Sequence, residues 1–492
     1  MNHPPPRPVA AATVRDRLPG ARRVVVLDDD PTGTQTVRDV PVLTRWTVDD
    51  VAWALAQDSA GFFVLTNTRS LDPTDAAART REVASACLAA AERMGVEIAF
   101  ASRSDSTLRG HFPLETDVLA EVCAAHGQPV DAILLIPSYV DAGRVTIDTV
   151  HWIRTPAGLV PVGQSEFARD ATFGYTSSHL GDWVAERTAG RIRREAVRAL
   201  TLHDIRTDDH QRLAERLGDS AGDPTTGAAR HPVVWAVDAE CDDDLRAVAL
   251  AVLGAESAGR RFLYRVGPSF VRARLGQQAS PPLSLAQLRA VCPGRSSGRM
   301  ETSTVGATGT GGLVVVGSHV DLTTRQLDRL RQRVSANHVV LDVPRLLGAD
   351  RDAHIAGAAA AVARSLADGL VILSTSRGVV RGDTPSAGLD IARRVSAAVS
   401  RTVRTVLAHR RPAFLVAKGG ITSADLATDA VGIDRAWARG CLLPGIVSLW
   451  EPVAPEPALP YVVFAGNVGD DDALADVVDR LTDAFVTPEV PA

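Results

Sequence analysis

The sequence predicts an α/β protein of two lobes, each built around a mostly parallel β-sheet. Short apolar runs rich in β-branched residues alternate with helical stretches of roughly ten or more residues, which is the pattern of a parallel sheet covered on both faces. Polar or glycine-containing turns follow most of these runs. A chain of 492 residues also exceeds what one hydrophobic core usually organises, so more than one domain is expected.

The first lobe is predicted to occupy residues 1–275. Its first strand ends abruptly in three aspartates, and Asp72 with Pro73 caps a long alanine-rich helix that runs to Met94. Residues 152–182 are predicted to be irregular. Strands are predicted at Arg22–Leu27, Gly61–Thr66, Ile98–Ser102, Ala132–Ile136, Pro232–Asp238 and Arg261–Gly267, and further helices at Asp49–Gln57 and near Trp183–Arg198.

A linker and a second α/β series are predicted to follow. Residues 276–312 are rich in Ser, Pro, Gly and Thr, with one weak helical piece at Leu283–Val291, and are predicted to be a linker. The second lobe is predicted over 313–492. Since ligands of open α/β sheets collect at the carboxyl ends of strands, we expect the active site in the cleft between the two lobes. The predicted strands are Leu313–Val316, Val339–Val343, Leu370–Ser374, Phe414–Ala417 and Tyr461–Phe464.

Charge and composition argue against several classes of function. The formal net charge is -5, so no excess of basic side chains is available to follow a phosphate backbone, and nucleic acid is not an expected partner. No apolar run approaches the roughly 18 residues of a membrane span, so no membrane partner is expected. The cysteines are scattered without a CxxC pair, as is typical of thiols in a reducing cytosol. We expect a soluble, cytoplasmic protein that acts on small molecules.

Three successive carboxylates, Asp28, Asp29 and Asp30, directly follow the first predicted strand, and Thr32 and Gly33 come after them. Adjacent carboxylates repel one another unless a cation or a substrate hydroxyl lies between them. The backbone N–H groups of the turn can bind an anion. The sequence therefore favours a binding or catalytic site here, with a solvated acidic turn as the alternative.

A second polar cluster follows the predicted strand that ends at Ser102. The guanidinium groups of Arg103 and Arg109, with Ser106 beside them, can grip a carboxylate, while Asp105 accepts hydrogen bonds from substrate hydroxyls. This combination suits a small polyhydroxy acid. The alternative is a helix N-terminus capped by Ser104 or Asp105, with a structural salt bridge. Further candidates for the same site are Asn67, Thr68, Arg69, Ser138 and Arg144.

Glycine turns follow three strands of the second lobe and together suit nucleotide phosphates. Backbone amides near glycine approach phosphate closely, hydroxyls add donors, and a helix N-terminus adds positive potential. Lys418 is the single lysine among 53 basic residues, and its compact ammonium is expected to neutralise phosphate, with chance retention as the alternative. Any one turn alone is more typical of a plain helix cap. The residues predicted to bind the nucleotide are Ser318, Lys418, Gly419, Gly420, Ile421, Thr422, Gly466, Asn467 and Gly469.

Several of these segments, in the same order, resemble the four-carbon acid sugar kinase family, over about Val24 to Leu481. The resemblance implies a sugar-acid domain, a nucleotide domain, and ATP-dependent phosphorylation of tetronates such as erythronate and threonate. It places the aspartate pair of the family on Asp29 and Asp30, and Phe464 stands where the family often has lysine. The matching segments are DDDPTGTQ at 28–35, SRSDSTLRGH at 102–111, PSYVDAGRVT and PVGQSEFARD within 137–170, VVWAVDAE at 233–240, VVGSHVDLTTRQ at 315–326, KGGITS at 418–423 and AGNVG at 465–469.

Motifs and resemblance together predict a phosphotransferase that moves the γ-phosphoryl group of ATP to a hydroxyl of a short sugar acid. Asp29 or Asp30 would deprotonate that hydroxyl, and Arg109, helped by Arg103 and Ser106, would hold the carboxylate. Mg²⁺ is expected as a cofactor, and its protein ligands are not predicted. The identity of the acid, the hydroxyl that reacts and a homodimeric state stay open.

Two other functions are compatible with the sequence. Asp28, Asp30 and Thr32 also spell the DxDxT motif of haloacid-dehalogenase-type phosphatases, in which Asp28 would be the nucleophile and Asp30 the acid/base. A non-catalytic sugar-acid-binding protein on a kinase-like scaffold is the second alternative, and Phe464 is its only support. Transfer of phosphate from ATP to an acid distinguishes the kinase from both.

Overall fold

The computed structural model describes residues 3–219, 232–291, 307–308, 311–378, 380, 385–454 and 459–486. The chain divides into two compact units, Met1–Ala279 and Ser280–Ala492. Each unit has the predicted α/β architecture with a mostly parallel sheet. The boundaries at 275 and 313 stay predictions, and residues 292–306 and 309–310 of the predicted linker lie outside the described residues.

A parallel sheet forms the centre of the N-terminal unit. Its strands are short apolar runs that are almost wholly buried, as expected where both faces of a sheet are covered. The strands of the unit are β1 (Arg23–Asp28), β2 (Val40–Leu43), β3 (Gly61–Leu65), β4 (Ile98–Arg103), β5 (Ala132–Ile136), β6 (Arg144–Ile147), β7 (Val150–Thr155), β8 (Gly158–Pro161), β9 (Arg198–Leu200), β10 (Val233–Val237) and β11 (Phe262–Val266). The order in the main sheet is β2-β3-β1-β4-β11-β5-β10-β9, and every neighbouring pair is parallel.

Helices connect these strands, and the longest begins and ends where the sequence predicts. Asp72 accepts hydrogen bonds from the N–H groups of Thr74 and Asp75 at 3.0 and 3.1 Å, and Pro73 occupies the first helical position. The helix ends at Gly95, whose φ of 64° closes it. The helices are α1 (Ala11–Arg15), α2 (Val48–Leu55), α3 (Pro73–Met94), α4 (Leu114–Ala125), α5 (Leu180–Arg187), α6 (Leu202–Thr207), α7 (His210–Gly218), α8 (Asp242–Ser257) and α9 (Pro268–Arg274).

One prediction for this unit holds only in part, and another is wrong. The stretch 152–182 is irregular over most of 162–179, but β7 and β8 pair antiparallel within it and α5 begins at Leu180. β7 also pairs with β6, in a hairpin that turns at Asp148 and Thr149, both with positive φ. Aspartate tolerates positive φ, but the β-branched Thr149 rarely adopts it and stands where such a turn usually has glycine, so the sequence carries no clear hairpin signal. The predicted helix near 183–198 ends at Arg187, since Ala189 and Gly190 take positive φ values that a helix cannot continue.

A mostly parallel run of strands also forms the centre of the C-terminal unit. The strands are β12 (Ala307–Thr308), β13 (Leu313–Val316), β14 (Asn337–Leu341), β15 (Val371–Thr375), β16 (Arg410–Arg411), β17 (Leu415–Lys418), β18 (Arg435–Leu443), β19 (Val447–Ala454) and β20 (Tyr461–Phe464). Within the described residues of this unit, β14-β15-β13-β17-β20 are parallel neighbours, and β19 and then β18 extend the sheet in antiparallel fashion. The β18–β19 pair is absent from the prediction.

The helices of this unit include a short one inside the predicted linker. Leu288 on that helix is fully buried in the core of the unit, together with Val316 and Phe464. The predicted strand Val339–Val343 lies two residues earlier, because Asp342 caps the next helix. The helices are α10 (Leu285–Ala290), α11 (Asp321–Arg333), α12 (Val343–Leu347), α13 (Arg351–Ser365), α14 (Pro385–His409), α15 (Gly420–Asp425) and α16 (Ala473–Phe485). Among the described residues, no helix combines the length and apolar character that crossing a membrane requires.

Candidate functional site

The carboxyl ends of β3, β1 and β4 hold the polar clusters of the N-terminal unit. The three strands are neighbours in a parallel sheet, so the residues that follow them meet at one edge. Asp28 ends β1, Arg103 ends β4, and the turn Thr68–Ser70 follows β3. The structure therefore brings the two predicted clusters together with the segment around Arg69, which was also predicted as a candidate for this site.

Asp28 and Arg103 form a buried ion pair at the base of this edge. Their side chains are 2% and 3% exposed. Arg103 contacts Asp28 Oδ1 through Nε and Nη2, and Nη2 also donates to the carbonyl of Asp30. Burial raises the pKa of Asp28, whereas the charge and hydrogen bond of Arg103 lower it and favour the ionised carboxylate. A Cβ at position 33 would overlap both side chains, so Gly33 allows the pair to form.

Asp29 is also buried, and an arginine and a serine hold it. Arg69 donates from Nη2 to Oδ1 at 2.5 Å and from Nε to Oδ2 at 3.1 Å, and Ser104 Oγ donates to Oδ2 at 2.7 Å. Burial opposes ionisation, but the charges of Arg69 and Arg103 with these hydrogen bonds outweigh it and lower the pKa of Asp29. Asp29 is thus an ionised carboxylate whose two oxygens are both engaged.

Asp30 differs from its two neighbours because solvent reaches it. Its side chain is 18% exposed, against 2% for Asp28 and for Asp29. Oδ1 accepts a hydrogen bond from the N–H of Thr32 at 2.8 Å, which caps the short 3₁₀ turn, and Oδ2 lies 3.4 Å from Arg69 Nη1. The cap fixes the direction of the carboxylate and leaves Oδ2 with a weak partner.

Arg109 lies between two carboxylates. Nε donates to Asp105 Oδ2 at 2.7 Å, and Nη1 lies 3.4 Å from Asp170 Oδ2. The guanidinium carbon is 5.1 Å from the centroid of the Phe167 ring. Burial would raise the pKa of Asp105, but the charges of Arg109 and Arg69 lower it well below its usual range. Asp105 is therefore ionised and already committed to a cation.

Thr32 and Ser106, the two predicted hydroxyl donors, are largely buried at 9% and 7% exposure. The carbonyl of Ser106 accepts a hydrogen bond from His151 Nε2 at 2.7 Å, so Nδ1 accepts from Thr146 Oγ1 at 2.9 Å. His151 is fully buried, and burial lowers its pKa to about 4. A neutral histidine on β7 thus ties the hairpin to the Ser106 loop.

A second buried layer supports the site from below. Glu115 on α4 accepts hydrogen bonds from Thr68 Oγ1 at 2.5 Å and from Ser102 Oγ at 2.9 Å. Burial, with the nearby charge of Asp29, raises the pKa of Glu115. Arg265 at the end of β11 is 1% exposed and donates from Nη2 to the carbonyl of Arg109 at 3.1 Å. This layer fixes the turns that carry the exposed groups.

Several residues at this edge were not predicted as site residues. Phe167, Asp170 and Arg265 reach it from segments distant in sequence, whereas Glu115 lies on α4, just after the second polar cluster. Arg265 does leave a signal, because it is a cation inside an otherwise apolar strand run.

The predicted nucleotide turns of the C-terminal unit also share one sheet edge. Gly317 and Ser318 follow β13, Gly419 follows β17, and Gly466 comes shortly after β20, and these strands are parallel neighbours. A Cβ at Gly466 would lie 2.6 Å from Ser318 Oγ, and a Cβ at Gly317 would overlap Thr422 Oγ1. Gly419 has a φ of 125°, which side chains rarely adopt. The three turns therefore pack closely because Gly317, Gly419 and Gly466 have no side chains.

Lys418 points away from solvent. It is 0% exposed, Nζ donates to the carbonyl of Ala465 at 2.7 Å, and Nζ lies 3.7 Å from the centroid of the Phe464 ring. Burial lowers the pKa of Lys418 well below its usual value. The structure thus places Lys418 under the turn that follows β20, and its contact with phosphate stays a prediction.

The outer surface of these turns carries the remaining predicted contacts. Ile421 is 50% exposed, and Asn467 and Gly469 are exposed as well, whereas Gly419 and Gly466 are buried. A residue that was not predicted, Arg377, follows β15 and donates from Nη2 to the carbonyl of Ser318 at 2.7 Å. Of the predicted contacts, Ser318, Gly420 and Thr422 are partly buried, as is Arg377.

The residues present fit a nucleotide better than a protein-bound metal. Gly317 and Gly466 allow the hydroxyl groups of Thr422 and Ser318 to lie against the backbone at this edge, and hydroxyls beside glycine turns are a feature of sites that bind phosphates. Among the described residues, no group of three or more His, Cys, Asp or Glu side chains is arranged to hold a metal ion. Mg²⁺ commonly uses one or two carboxylates together with substrate phosphates, so a magnesium ion that arrives with a nucleotide is compatible with this edge.

Each of the two units matches the model of a known domain family. Residues 24–274 match the family model described as a sugar-binding N-terminal domain. Residues 313–474 match the family model described as a nucleotide-binding C-terminal domain. The two matches together cover most of the chain. No curated protein matches it.

Solved structures share the fold. A suggested tRNA synthase from Salmonella typhimurium LT2 is 16% identical with a TM-score of 0.63, and the match covers 94% of this chain and 99% of that one. A Haemophilus influenzae protein of the DUF1537 family is 16% identical with a TM-score of 0.56 over 94% of this chain and 100% of that one. A Bordetella bronchiseptica DUF1537 protein, a domain-swapped dimer with bound citrate, is 23% identical with a TM-score of 0.38 over 94% and 99%. At the identities of the first two, the likeness establishes the fold alone.

Proposed function

Because the chain belongs to the four-carbon acid sugar kinase family, we propose that it transfers the γ-phosphoryl group of ATP to a hydroxyl of a short sugar acid such as erythronate, threonate or an oxo-tetronate. The order of the two domains, sugar-binding and then nucleotide-binding, supports this proposal. The single observation that carries it is the carboxylate of Asp30, which solvent reaches in part, at an edge lined with arginines. Such an edge can bind an acid and accept a proton from its alcohol.

Asp30 is the proposed general base. A base must reach the hydroxyl that it deprotonates, and Asp30 is the most exposed of the three successive aspartates. The N–H of Thr32 fixes one of its oxygens, so the other is directed with little loss of entropy on binding. Phosphoryl transfer asks mainly for such positioning, since most of its catalysis is alignment and charge stabilisation.

Asp29 and Arg103, both predicted to touch substrate, take positioning roles in this proposal. Asp29 fixes Arg69 with two hydrogen bonds, and Arg69 in turn lies beside Asp30. Arg103 is neutralised by Asp28 and holds the backbone at Asp30 through its carbonyl. Neither side chain has the exposure that direct contact with a small ligand would require.

Asp105 and Arg109 are the proposed contacts to the substrate, with Thr32 and Ser106 supporting their loops. The side chains of Asp105 and Arg109 are 14% and 20% exposed, so both can be reached. An ionised aspartate accepts hydrogen bonds from substrate hydroxyls, and the guanidinium has donors beyond the two that its carboxylates use. A carboxylate that accepts from hydroxyls, next to a guanidinium with free donors, suits a hydroxy acid.

The glycine turns of the C-terminal unit are the proposed ATP site. Ser318, Gly419, Gly420, Thr422 and Gly466 would present hydroxyls and backbone N–H groups to the phosphates. Ile421, Asn467 and Gly469 would lie on the outer side of the bound nucleotide. Mg²⁺ would be held mainly by the phosphates of ATP and would offset their negative charge.

The two alternative functions have less support. A phosphatase of the haloacid dehalogenase type needs Asp28 to attack phosphorus, yet Asp28 is 2% exposed and paired with Arg103. A sensor without turnover would leave the capped, exposed Asp30 without a role. No observation in the described residues favours either function over the kinase.

The proposal is tested by measuring ATP consumption with a panel of C3 to C6 sugar acids. We expect turnover with at least one four-carbon acid, and a fall in kcat of about 100- to 10,000-fold for Asp30→Asn with ATP affinity retained. Asp16→Asn is the control, since Asp16 is exposed at the end of α1 and should behave as wild type. Unchanged turnover of Asp30→Asn would remove the base assignment, and no turnover of any acid by the wild type would contradict the kinase.

A further inference from the structure

Most arginines at the acidic edge of the N-terminal unit are already matched by carboxylates. Arg103 pairs with Asp28, Arg69 with Asp29 and Asp30, and Arg109 with Asp105 and Asp170. Matched pairs of this kind position one another and have little net charge left for a ligand. A substrate carboxylate therefore needs a cation that the protein has not neutralised.

Arg144, the first residue of β6, is such a cation. Its side chain donates from Nη1 to the carbonyl of Ala142 at 2.6 Å. Its Nε is buried and has no hydrogen-bond partner, and among the described residues no carboxylate lies within 4.0 Å of the guanidinium. Buried donors without an acceptor are uncommon in folded proteins, because each costs the hydrogen bond that it made with water.

Arg144 lies at the site already described. The ring centroid of Phe167 is 6.0 Å from the guanidinium carbon of Arg144 and 5.1 Å from that of Arg109. Burial lowers the pKa of Arg144, and the charge of Arg109 adds to this effect while that of Asp105 opposes it. An arginine stays protonated in proteins, so the guanidinium is held partly buried, charged and next to a second cation.

The free edge of this guanidinium has the geometry that carboxylates use. Nη1 is occupied by a backbone carbonyl, which leaves Nε and Nη2, the pair of parallel donors that binds a carboxylate side-on. Gly143, with a φ of 72°, and the hydrogen bond from the N–H of Arg144 to the carbonyl of Tyr139 at 2.9 Å fix the backbone that carries it. The arginine is thus positioned before any ligand arrives.

We propose that Arg144 binds the carboxylate of the acceptor substrate and so makes the site selective for acids over neutral sugars. The inference rests on the proposed function, because it names the residue that recognises the acid. A site that leaves a buried guanidinium unpaired when a neutral analogue enters should reject that analogue strongly.

The test compares acids with matched neutral alcohols. The wild type, Arg144→Gln and Arg144→Lys are assayed with ATP against erythronate and threonate and against erythritol and threitol. For Arg144→Gln we expect the KM of the acid to rise roughly 10- to 100-fold, with kcat changed much less and the preference for acid over alcohol reduced. Arg144→Lys should restore part of the preference, since it keeps the charge.

The matched control is Arg169→Gln, which removes an exposed arginine of the neighbouring segment and should keep the wild-type KM. The proposal would be overturned if Arg144→Gln kept the wild-type preference for acids. It would also be overturned if Arg169→Gln lost as much of this preference as Arg144→Gln does. If the wild type consumes ATP with none of the acids, the kinase proposal fails. The role of Arg144 is then decided by equilibrium binding of erythronate and threonate: weaker binding to Arg144→Gln than to Arg169→Gln supports it, and equal binding overturns it.

Discussion

At the scale of single residues, three successive aspartates show how position decides chemistry. Asp28, Asp29 and Asp30 are the same residue type at consecutive positions, yet only the carboxylate of Asp30 is partly accessible to solvent. Arg103 binds the carboxylate of Asp28, and Arg69 binds that of Asp29. These two aspartates therefore position the arginines. The acid/base role therefore falls to Asp30, which the capping N–H of Thr32 orients.

Lys418 supplies a prediction at the same scale. We expect Lys418→Met to change ATP affinity less than tenfold, because Nζ donates to the carbonyl of Ala465 and is not exposed. A methionine of similar length should pack well against Phe464. Titration calorimetry of ATP binding to the wild type and the variant checks this. A loss of affinity far beyond tenfold in a variant with wild-type thermal stability would instead support Lys418 as a phosphate ligand.

The pH dependence of stability shows whether the Lys418 amine is protonated in the folded protein. Burial lowers the pKa of Lys418 in the folded state, so between that pKa and the ordinary value of about 10.5 the unfolded chain binds the proton and the folded one does not. The free energy of unfolding of the wild type should then rise with pH in this window, relative to Lys418→Met. Urea unfolding at pH 7, 8 and 9 measures the difference. A difference that does not change with pH would mean that Lys418 stays protonated in the folded protein.

At the scale of secondary-structure elements, β7 is coupled to the site through His151. The buried ring donates to the carbonyl of Ser106 and accepts from Thr146, so protonation would remove an acceptor and bury a charge. Because burial lowers the pKa of His151 to about 4 from an ordinary value near 6.5, stability should fall as the pH drops through that interval.

His151→Gln tests this coupling. The variant keeps a donor for Ser106 but does not titrate, so the difference in unfolding free energy from the wild type should change by up to about 1.4 kcal/mol per pH unit between pH 6.5 and pH 4. Urea unfolding across this range is the measurement. Parallel pH curves for the two proteins would show that His151 contributes no titration to stability.

The glycine turns are a second feature of this scale. Gly317→Ala would place a Cβ against Thr422 Oγ1 and Cγ2, so the turns after β13 and β17 should separate and ATP affinity should fall at least tenfold. The matched control is Gly357→Ala in α13, where a Cβ meets nothing within 4 Å. We expect the control to bind ATP normally and to gain up to about 1 kcal/mol of stability. Equal ATP affinity in both variants would contradict the close packing of these turns.

At the scale of the whole molecule, much of the architecture could be predicted because local patterns and tertiary structure agree. The apolar run after Arg22 and the Asp72-Pro73 cap define elements that the structure confirms within one residue. Where local signals are absent the prediction is wrong, as in the hairpin that turns at Asp148 and Thr149. A backbone conformation that tertiary packing imposes on a residue cannot be predicted from the residue type alone.

The candidate site was predictable to the extent that its residues lie in contiguous motifs. Asp30, Asp105 and Arg109 come from two short segments, whereas Phe167 and Asp170 reach Arg109 only through the antiparallel sheet that the sequence does not reveal. The state of a side chain, such as the burial of Lys418, depends on neighbours far along the chain. Chemistry could therefore be proposed from motifs, but the division between catalysis and support could not.

The most direct test of the kinase is the fate of the γ-phosphate. The wild-type protein is incubated with Mg²⁺, ATP carrying an isotopic label in the γ-phosphoryl group, and erythronate or threonate, and the products are identified by mass spectrometry. We expect a labelled phosphoester of the acid, formed in step with ADP. Labelled inorganic phosphate without any phosphorylated acid, for every acid tested, would contradict it.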